Sequence, residues 1–202
     1  MYNKCIKRFI DICLSLCGLI VLSPVLLIVA LITKLDSPGP IIFKQKRVGI
    51  HKTYFNIYKF RSMKIDAPHD TPTHQLKDTS SVMTPWGMFI RKYSLDELPQ
   101  LINILKGDMS IIGPRPALWN QYDLIEERDK YQANDIRPGL TGWAQVQGRD
   151  ELEIPVKAKL DGYYAKNRSF LFDIKCFLMT IGIVATTKGV VEGGTGSLGD
   201  QS

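Results

Sequence analysis

The sequence predicts a mainly α protein with a small β-hairpin, in which an N-terminal re-entrant membrane helix broken at Ser23-Pro24 precedes a compact cytosolic domain with surface amphipathic helices. Two observations lead to this prediction. An uncharged run covers residues 12–33 with a proline near its middle, and apolar residues recur at helical spacing further along the chain. We expect three parts: the membrane helix at 1–36, the cytosolic domain at 37–187 and a disordered tail at 188–202.

The uncharged run is 22 residues long, enough for a helix to cross a hydrocarbon core. Pro24 removes a backbone donor and clashes with the carbonyl of Ile20, so the helix should bend or break there. Ser23 can donate to a carbonyl that the bend frees. Basic residues flank both ends, and such residues favour the cytoplasmic side. A helix that enters one leaflet and returns fits best; a kinked single span and a buried soluble helix are the alternatives.

The elements after the membrane run begin with a hairpin. Residues 41–43 and 54–60 are rich in β-branched and aromatic residues, and Gly49 lies between them. The polar stretch 65–84 predicts a mobile surface loop. Five helices are predicted further along: 85–92, a helix around 98–105 that Gly107 ends, 118–131, 154–165 and 171–187. The last helix is apolar around most of its surface, so it should pack deeply, lie at a membrane surface or serve a homodimer.

Composition narrows the possible partners. The net charge of +6 is compatible with nucleic acid, an anionic membrane surface or a phosphorylated substrate. The basic residues alternate with acidic ones and form no stripe with stacking aromatics, so we expect no nucleic-acid binding. The four cysteines form no CxxC pair, which indicates reduced cytosolic thiols.

The acidic pair Asp96-Glu97 is the strongest local signal for chemistry. Ser94 and Glu97 have the spacing of a capping box, so a purely structural role is one interpretation. In the other, Asp96 at a helix N-terminus stays ionised and attacks a phosphoryl group, giving an acyl phosphate. Glu97 could then hold a metal ion or accept a proton from a second substrate. Both roles can coexist.

Attack on a phosphate by a carboxylate requires the phosphate charge to be neutralised, by Mg²⁺ or by cations. Arg115 lies between Pro114 and Pro116, which restrict the backbone around it. Asp108 could pair with an arginine or hold the metal together with Asp96.

The glycine-rich stretch 137–149 suits a loop that closes over a nucleotide or sugar, with an ordinary buried Trp143 as the alternative. The residues predicted to bind substrate are Lys59, Arg61, Arg91, Arg115, Arg137 and Arg149.

Six motifs occur in one order along the chain: Ser23-Pro24, Lys59-Phe60-Arg61-Ser62-Met63, Ser94-Leu95-Asp96-Glu97-Leu98-Pro99-Gln100, Lys106-Gly107-Asp108-Met109-Ser110, Gly113-Pro114-Arg115-Pro116 and Arg137-Pro138-Gly139-Leu140-Thr141-Gly142. Each is weak alone. Together they resemble the bacterial sugar transferases that are monotopic phosphoglycosyl transferases, similar to the small bacillosamine-type enzymes. The resemblance covers residues 3–187.

The resemblance implies a catalytic domain that faces the cytoplasm at the bacterial inner membrane and carries out the first membrane step of glycoconjugate assembly. With Mg²⁺, Asp96 would attack the sugar-bearing phosphate of a UDP-sugar and release UMP, with Glu97 as its dyad partner. Polyprenyl (undecaprenyl) phosphate would then take the phosphosugar from Asp96. The resemblance favours a UDP-N-acetylhexosamine or diacetamido donor, with galactose or glucose as the next choice.

The sequence is also compatible with two rival hypotheses. Within the enzyme class, the phosphosugar could pass directly from donor to acceptor in a ternary complex, with Asp96 only binding metal. A non-catalytic, membrane-anchored binding module would need the acidic pair only as a helix cap. The donor sugar itself depends on the shape of the pocket.

Overall fold

The computed structural model describes residues 2–67, 82–148 and 152–186. It is mostly helical, with a two-stranded antiparallel sheet and a two-stranded parallel sheet among the described residues. The predicted tail at 188–202 and most of the predicted loop at 65–84 lie outside the described residues. The helices are α1 (Lys7–Val21), α2 (Ser23–Asp36), α3 (Pro85–Lys92), α4 (Gln100–Lys106), α5 (Tyr122–Asp129), α6 (Trp143–Gln147), α7 (Ile154–Asn167) and α8 (Phe170–Thr186). The strands are β1 (Ile42–Val48), β2 (Tyr54–Phe60), β3 (Ser110–Ile112) and β4 (Gly139–Thr141).

The N-terminal helix is broken where the sequence predicts. Helices α1 and α2 meet at Leu22 and are bent by 64°. Ser23 Oγ donates to the carbonyl of Ile20 at 2.8 Å, so the predicted bond to a carbonyl near the bend is confirmed. Within the described residues, no single helix has the length and hydrophobicity to cross a membrane, whereas this bent pair together meets both criteria.

Helix α1 is fixed to the rest of the fold by polar contacts. Asp11 is buried and accepts hydrogen bonds from Ser110 Oγ at 2.7 Å and from the backbone N–H of Ile111 at 3.0 Å, at the start of β3. Arg8 donates to the carbonyls of Ile104 and Leu105, in the last turn of α4. These contacts place the buried side of the apolar run against the domain that follows it.

The opposite side of the helix pair is exposed and apolar. Its largest exposed side chains are Phe9, Ile20, Val21, Leu27, Leu31 and Leu35, each more than 60% accessible. A monomeric soluble surface rarely carries a contiguous apolar area of this kind, so this face is typical of one that contacts lipid or protein.

The hairpin is present and longer than predicted. Strands β1 and β2 pair antiparallel from Ile42 opposite Phe60 to Val48 opposite Tyr54. The sequence predicted only residues 41–43 for the first strand. The second half of β1 is mostly polar, so it lacks the β-branched and aromatic residues on which the prediction relied. Lys46 in that half places its ammonium 4.1 Å from the centre of the Tyr54 ring, so this polar side chain lies over an aromatic neighbour.

The parallel pair β3–β4 was not predicted. Gly113 N–H donates to the carbonyl of Thr141 at 2.8 Å, and Gly139 N–H donates to the carbonyl of Pro114 at 2.8 Å. A Cβ added at Gly142 would lie 2.0 Å from the carbonyl oxygen of Gly113, so only glycine allows this approach. The described part of the glycine-rich stretch 137–149 is packed as β4 and α6 rather than as an irregular loop, and its predicted contact with a nucleotide or sugar stays a prediction.

The remaining helices differ from the predictions mainly at their ends. Helix α3 has the predicted bounds, and α4 ends at Gly107, whose φ of 96° suits a glycine cap. Helix α5 is shorter than the predicted 118–131, because Leu118 pairs with Arg47 in a β-bridge. Helices α7 and α8 lie within a few residues of the predicted bounds.

Candidate active site

The acidic pair lies in a cavity of about 330 Å³ formed by several distant segments. The charged side comes from the end of β2, the 91–98 segment and the turn after β3. The other side comes from β4, α6 and α8, and is mostly apolar. The charged residues that line the cavity are Lys59, Arg91, Asp96, Glu97, Arg115 and Lys157.

The backbone around the acidic pair differs from the predicted capping box. Ser94 adopts a left-handed conformation, with φ of 56°, and its side chain makes no capping bond. Leu95–Glu97 form one 3₁₀ turn, which leads through Pro99 into α4. The capping prediction is therefore wrong, because Glu97 does not turn back toward Ser94. It points instead to two cations.

Glu97 is saturated by Lys59 and Arg115. Its Oε1 lies 2.7 Å from Lys59 Nζ and 2.5 Å from Arg115 Nη2, and its Oε2 accepts from Arg115 Nη1 at 3.3 Å. Burial alone would raise the pKa of Glu97, but the charges and hydrogen bonds of Arg115 and Lys59 together hold that pKa well below its usual value. Glu97 is therefore a fixed anion that holds two cations in place.

Asp96 has a different environment, although it is the next residue. Within the described residues its carboxylate accepts no hydrogen bond, and Lys59 Nζ lies 3.9 Å from Oδ2. Burial raises the pKa of Asp96, the Lys59 charge opposes that rise, and the Glu97 charge adds to it. This direction is opposite to the stabilising effect predicted for a helix N-terminus, and the ionisation of Asp96 at neutral pH stays a prediction. Asp96 is a buried carboxylate with its oxygens available to a ligand.

Two further cations line the cavity. Arg91 comes from the last turn of α3 and Lys157 from α7. Together with Lys59 and Arg115 they place four positive charges around two carboxylates. Such a set suits a ligand with several negative charges, and a diphosphate is the usual example.

Two predicted substrate-binding residues lie elsewhere. Arg61 is buried, and its guanidinium donates to the carbonyls of Thr33, Ser37 and Pro38. It therefore caps the C-terminal end of α2 rather than lining the cavity. Arg137 donates to the carbonyl of Gly107 at 2.9 Å and does not line the cavity either. Arg149 lies outside the described residues.

The predicted metal pair of Asp96 and Asp108 is not brought together. Asp108 accepts from Asn103 Nδ2 at 3.1 Å, pairs with Lys106 at 3.3 Å and is absent from the cavity lining. The described residues contain no cluster of three or more acidic, histidine or cysteine side chains that could hold a metal. Mg²⁺ is often held by one or two carboxylates together with substrate phosphates and water. The available Asp96 carboxylate fits that arrangement.

The apolar side of the cavity was not predicted. Helix α8 supplies Phe177, Thr180 and Val184 at helical spacing, and α6 and β4 add Gln145 and Thr141. These α8 residues are three and four positions apart, as expected for one face of a helix. The sequence does not indicate which other element that face contacts. Lys157 was missed because one lysine on a charged helix is not distinctive.

Trp143 takes the ordinary structural role. Its ring packs edge-on against Phe172 at 5.0 Å between centroids, and the Lys175 ammonium lies 5.0 Å from its centre. It is not among the residues that line the cavity. The buried-tryptophan alternative is therefore the one that the packing supports.

The chain matches the model of the bacterial sugar transferase family over residues 2–187. It belongs to that family of enzymes, as the six ordered motifs predicted.

Its relatives include an uncharacterised sugar transferase, EpsL, of Bacillus subtilis, which is 37% identical over 187 residues; the match covers 93% of this chain and 91% of the relative. The UDP-glucose:undecaprenyl-phosphate glucose-1-phosphate transferase of Escherichia coli is 41% identical over 89% of this chain. The UDP-N-acetylgalactosamine-undecaprenyl-phosphate N-acetylgalactosaminephosphotransferase of Aeromonas hydrophila is 40% identical over 91% of it. These last two matches cover only 40% and 44% of the relatives' length.

Proposed function

We propose that this protein transfers a phosphosugar from a UDP-sugar to polyprenyl phosphate, through a covalent intermediate on Asp96. One observation carries the proposal: of two adjacent buried carboxylates, Glu97 is neutralised by Lys59 and Arg115, whereas Asp96 is left without a hydrogen bond within the described residues. The names of the relatives from Escherichia coli and Aeromonas hydrophila, both undecaprenyl-phosphate transferases, support the same class of reaction.

In the first step an Asp96 oxygen attacks the phosphorus that carries the sugar. A bond forms between that oxygen and phosphorus, and the bond from phosphorus to the bridging oxygen of the diphosphate breaks. UMP leaves with the bridging oxygen and its electron pair. The product on the protein is an acyl phosphate that carries the sugar. Lys59, Arg91 and Arg115 line the cavity, and they would bind the phosphate oxygens that gain charge.

In the second step a phosphate oxygen of polyprenyl phosphate attacks the same phosphorus. The bond to Asp96 breaks, its carboxylate is restored, and polyprenyl-diphosphate-sugar is released. No external base is required if the acceptor is already an anion. Glu97 is a poor base in any case, because its pKa is held well below the usual value. Its role is to position Lys59 and Arg115.

A magnesium ion is part of the proposal. When bound, Mg²⁺ would neutralise diphosphate charge and make the departing UMP a better leaving group. Asp96 is the cavity carboxylate with oxygens available to hold it, together with the donor's own phosphates.

We further propose that α1 and α2 form a re-entrant hairpin in the cytoplasmic face of the inner membrane. The 64° bend and the exposed apolar face of the pair support this. The acceptor's phosphate lies at headgroup depth, so a site held beside such a hairpin meets it there.

Labelling of cysteines tests this hairpin. Cys5 precedes α1 and Cys17 lies near the bend. In single-cysteine variants, Cys5 and an Asp36→Cys change should react with an impermeant maleimide from the cytoplasmic side, and Cys17 should not. Labelling of the two ends from opposite sides would contradict the hairpin.

The donor is proposed to be a UDP-N-acetylhexosamine or a diacetamido derivative, with UDP-glucose or UDP-galactose as the second candidate. The relatives' printed donors include both UDP-glucose and UDP-N-acetylgalactosamine, so relationship alone leaves both classes open. A panel of UDP-sugars, assayed for UMP release with undecaprenyl phosphate, distinguishes them.

The test of the reaction compares Asp96→Asn with Asp135→Asn, whose carboxylate is exposed and is not among the residues that line the cavity. Loss of a nucleophile costs several orders of magnitude, so Asp96→Asn should lower UMP release at least ~1,000-fold. Asp135→Asn should retain wild-type release. An Asp96→Asn protein that turns over normally would rule out the proposal.

A further inference from the structure

The mostly apolar side of the cavity also contains a small cluster of polar side chains, which is separate from the acidic pair and its cations. It consists of Gln145 on α6, Thr141 at the end of β4 and Thr180 on α8. None of these residues is charged, and the proposed chemistry at Asp96 uses none of them.

Gln145 has an unsatisfied acceptor within the cavity wall. Its Oε1 is buried and has no hydrogen-bond partner in the described part of the chain. Its Nε2 donates to the carbonyl of Leu140 at 3.3 Å. That contact fixes the orientation of the amide, because exchanging the two ends would place two carbonyl oxygens together. A buried carbonyl oxygen without a donor costs free energy, and a ligand donor would recover it.

The two threonine hydroxyls add a second acceptor. Thr180 Oγ1 lies 2.8 Å from the carbonyl of Cys176, which can only accept, so Thr180 donates there. Thr141 Oγ1 lies 2.8 Å from Thr180 Oγ1 and must therefore be the donor in that pair. The hydrogen of Thr141 is consumed in this way, and its oxygen is left as an acceptor on the cavity wall.

We propose that Gln145 Oε1 and Thr141 Oγ1 form an acceptor subsite that binds an N–H or O–H donor of the UDP-sugar. The inference rests on the proposed function, since it assumes that this ligand occupies the cavity. Two parts of the ligand carry such donors: the nucleoside, through the uracil N–H or ribose hydroxyls, and the sugar, through its hydroxyls or an acetamido N–H. A site that hydrogen-bonds a substrate group discriminates against analogues that lack it.

The test uses Gln145→Met, which keeps the length of the side chain and removes the acceptor. Gln147→Met is the matched control, because Gln147 lies on the same short helix, is exposed and does not line the cavity. Thr141→Val removes the second acceptor. For each protein, kcat/KM is measured with the best UDP-sugar and with donors that differ at one sugar position, and the dissociation constant of UMP is measured by calorimetry. A thermal melt confirms folding.

Gln145→Met should lower kcat/KM for the best donor about 10-fold or more, and Gln147→Met should not. If the subsite binds the nucleoside, UMP binding weakens by a similar factor. If the subsite binds the sugar, the affinity for UMP is unchanged and only kcat/KM for the UDP-sugar falls. The inference is overturned if folded Gln145→Met and Thr141→Val proteins match wild type in kcat/KM for every donor and in UMP affinity. A wild-type protein that releases no UMP from any UDP-sugar would instead contradict the proposed function.

Discussion

The Lys59 ammonium lies 2.7 Å from Glu97 Oε1. The same nitrogen is 3.9 Å from Asp96 Oδ2, so it forms a direct hydrogen bond with one carboxylate and only a longer-range attraction with the other. With Arg115 on its second side, Glu97 has little remaining capacity to bind a substrate or a metal. The two neighbouring acids therefore differ in environment: Glu97 binds two cations, and Asp96 keeps the oxygens that the proposed reaction requires.

Replacing Glu97 with glutamine should weaken both the fold and the reaction. The amide keeps one acceptor but removes the negative charge that Glu97 supplies to Lys59 and Arg115 in a mostly buried setting. We expect a loss of about 2 kcal/mol in the free energy of unfolding. The cations would also lose their position, so kcat should fall on the order of 100-fold. Denaturant unfolding and UMP release measure the two effects, and a variant with wild-type kcat would show that the ion pairs do not organise the site.

Stability should depend on pH through the same residue. The folded pKa of Glu97 lies well below its usual value of 4.5, so the folded protein gains stability from this group above about pH 4.5. That gain falls as the pH drops below 4.5 and disappears once the pH passes the lowered pKa. The difference in unfolding free energy between wild type and Glu97→Gln should therefore be constant above this pH and shrink below it. A difference that grew on acidification would contradict the assignment.

The pH dependence of activity should be shifted the other way, toward higher pH, because it depends on the raised pKa of Asp96 and not on the lowered pKa of Glu97. Because burial raises the pKa of Asp96 above 3.8, the carboxylate that is proposed to attack is protonated at a higher pH than an ordinary aspartate. The acid limb of kcat/KM for UMP release should therefore have an apparent pKa above 3.8. The unfolding free energy at each pH is the control. An acid limb that coincides with unfolding would carry no information on Asp96, so the test uses only the range in which the protein stays folded.

Arg61 and Arg91 can be compared directly. The sequence predicted that both bind substrate, but in the structure only Arg91 lines the cavity, whereas Arg61 binds carbonyls at the end of α2. Arg61→Met removes three bonds to carbonyls at the end of α2 and should lower the unfolding free energy by about 2–4 kcal/mol. Its KM for the UDP-sugar should stay near wild type. Arg91→Met should raise KM for the donor and leave stability within ~0.5 kcal/mol of wild type. Reversed results would place Arg61 in the binding site.

The contact of Asp11 with Ser110 should link the bent helix pair to the strand beneath the cavity. Asp11→Ala leaves a buried hydroxyl and a backbone N–H unsatisfied, and should cost about 2–3 kcal/mol. In a double-mutant cycle with Ser110→Ala, the coupling free energy should be about 1 kcal/mol. Asp36→Asn, at the exposed end of α2, is the control and should change little. A coupling near zero would show that the bond contributes nothing to stability.

The sequence was sufficient where a local signal determines a local structure. Ser23-Pro24 predicted the bend, Gly107 the end of α4, and β-branched residues the hairpin. It was insufficient where the partner is far away in the chain. The β3–β4 pairing depends on close approach of glycines about 26 residues apart, 113 and 139, and such a short parallel pair has no pattern of its own.

The same limit applies to the candidate site. Asp96, Glu97, Lys59 and Arg115 were predicted from motifs, and Arg91 from its place shortly before the acidic pair; all five line one cavity. Arg61 was assigned to the substrate because a buried arginine that binds carbonyls looks the same in sequence as one that binds phosphate. Ser94 shows the converse: a capping-box spacing was present, but two cations from other segments bound Glu97 more strongly than a backbone N–H could.

Intact-mass spectrometry of the protein incubated with a UDP-sugar and Mg²⁺, without polyprenyl phosphate, detects the proposed covalent intermediate itself. We expect about one equivalent of UMP per active site and a mass increase of one phosphosugar, located by peptide mapping at Asp96 and removed when acceptor is added. UMP release that strictly requires the acceptor, with no added mass on the protein under trapping conditions, would contradict the covalent intermediate and favour direct transfer.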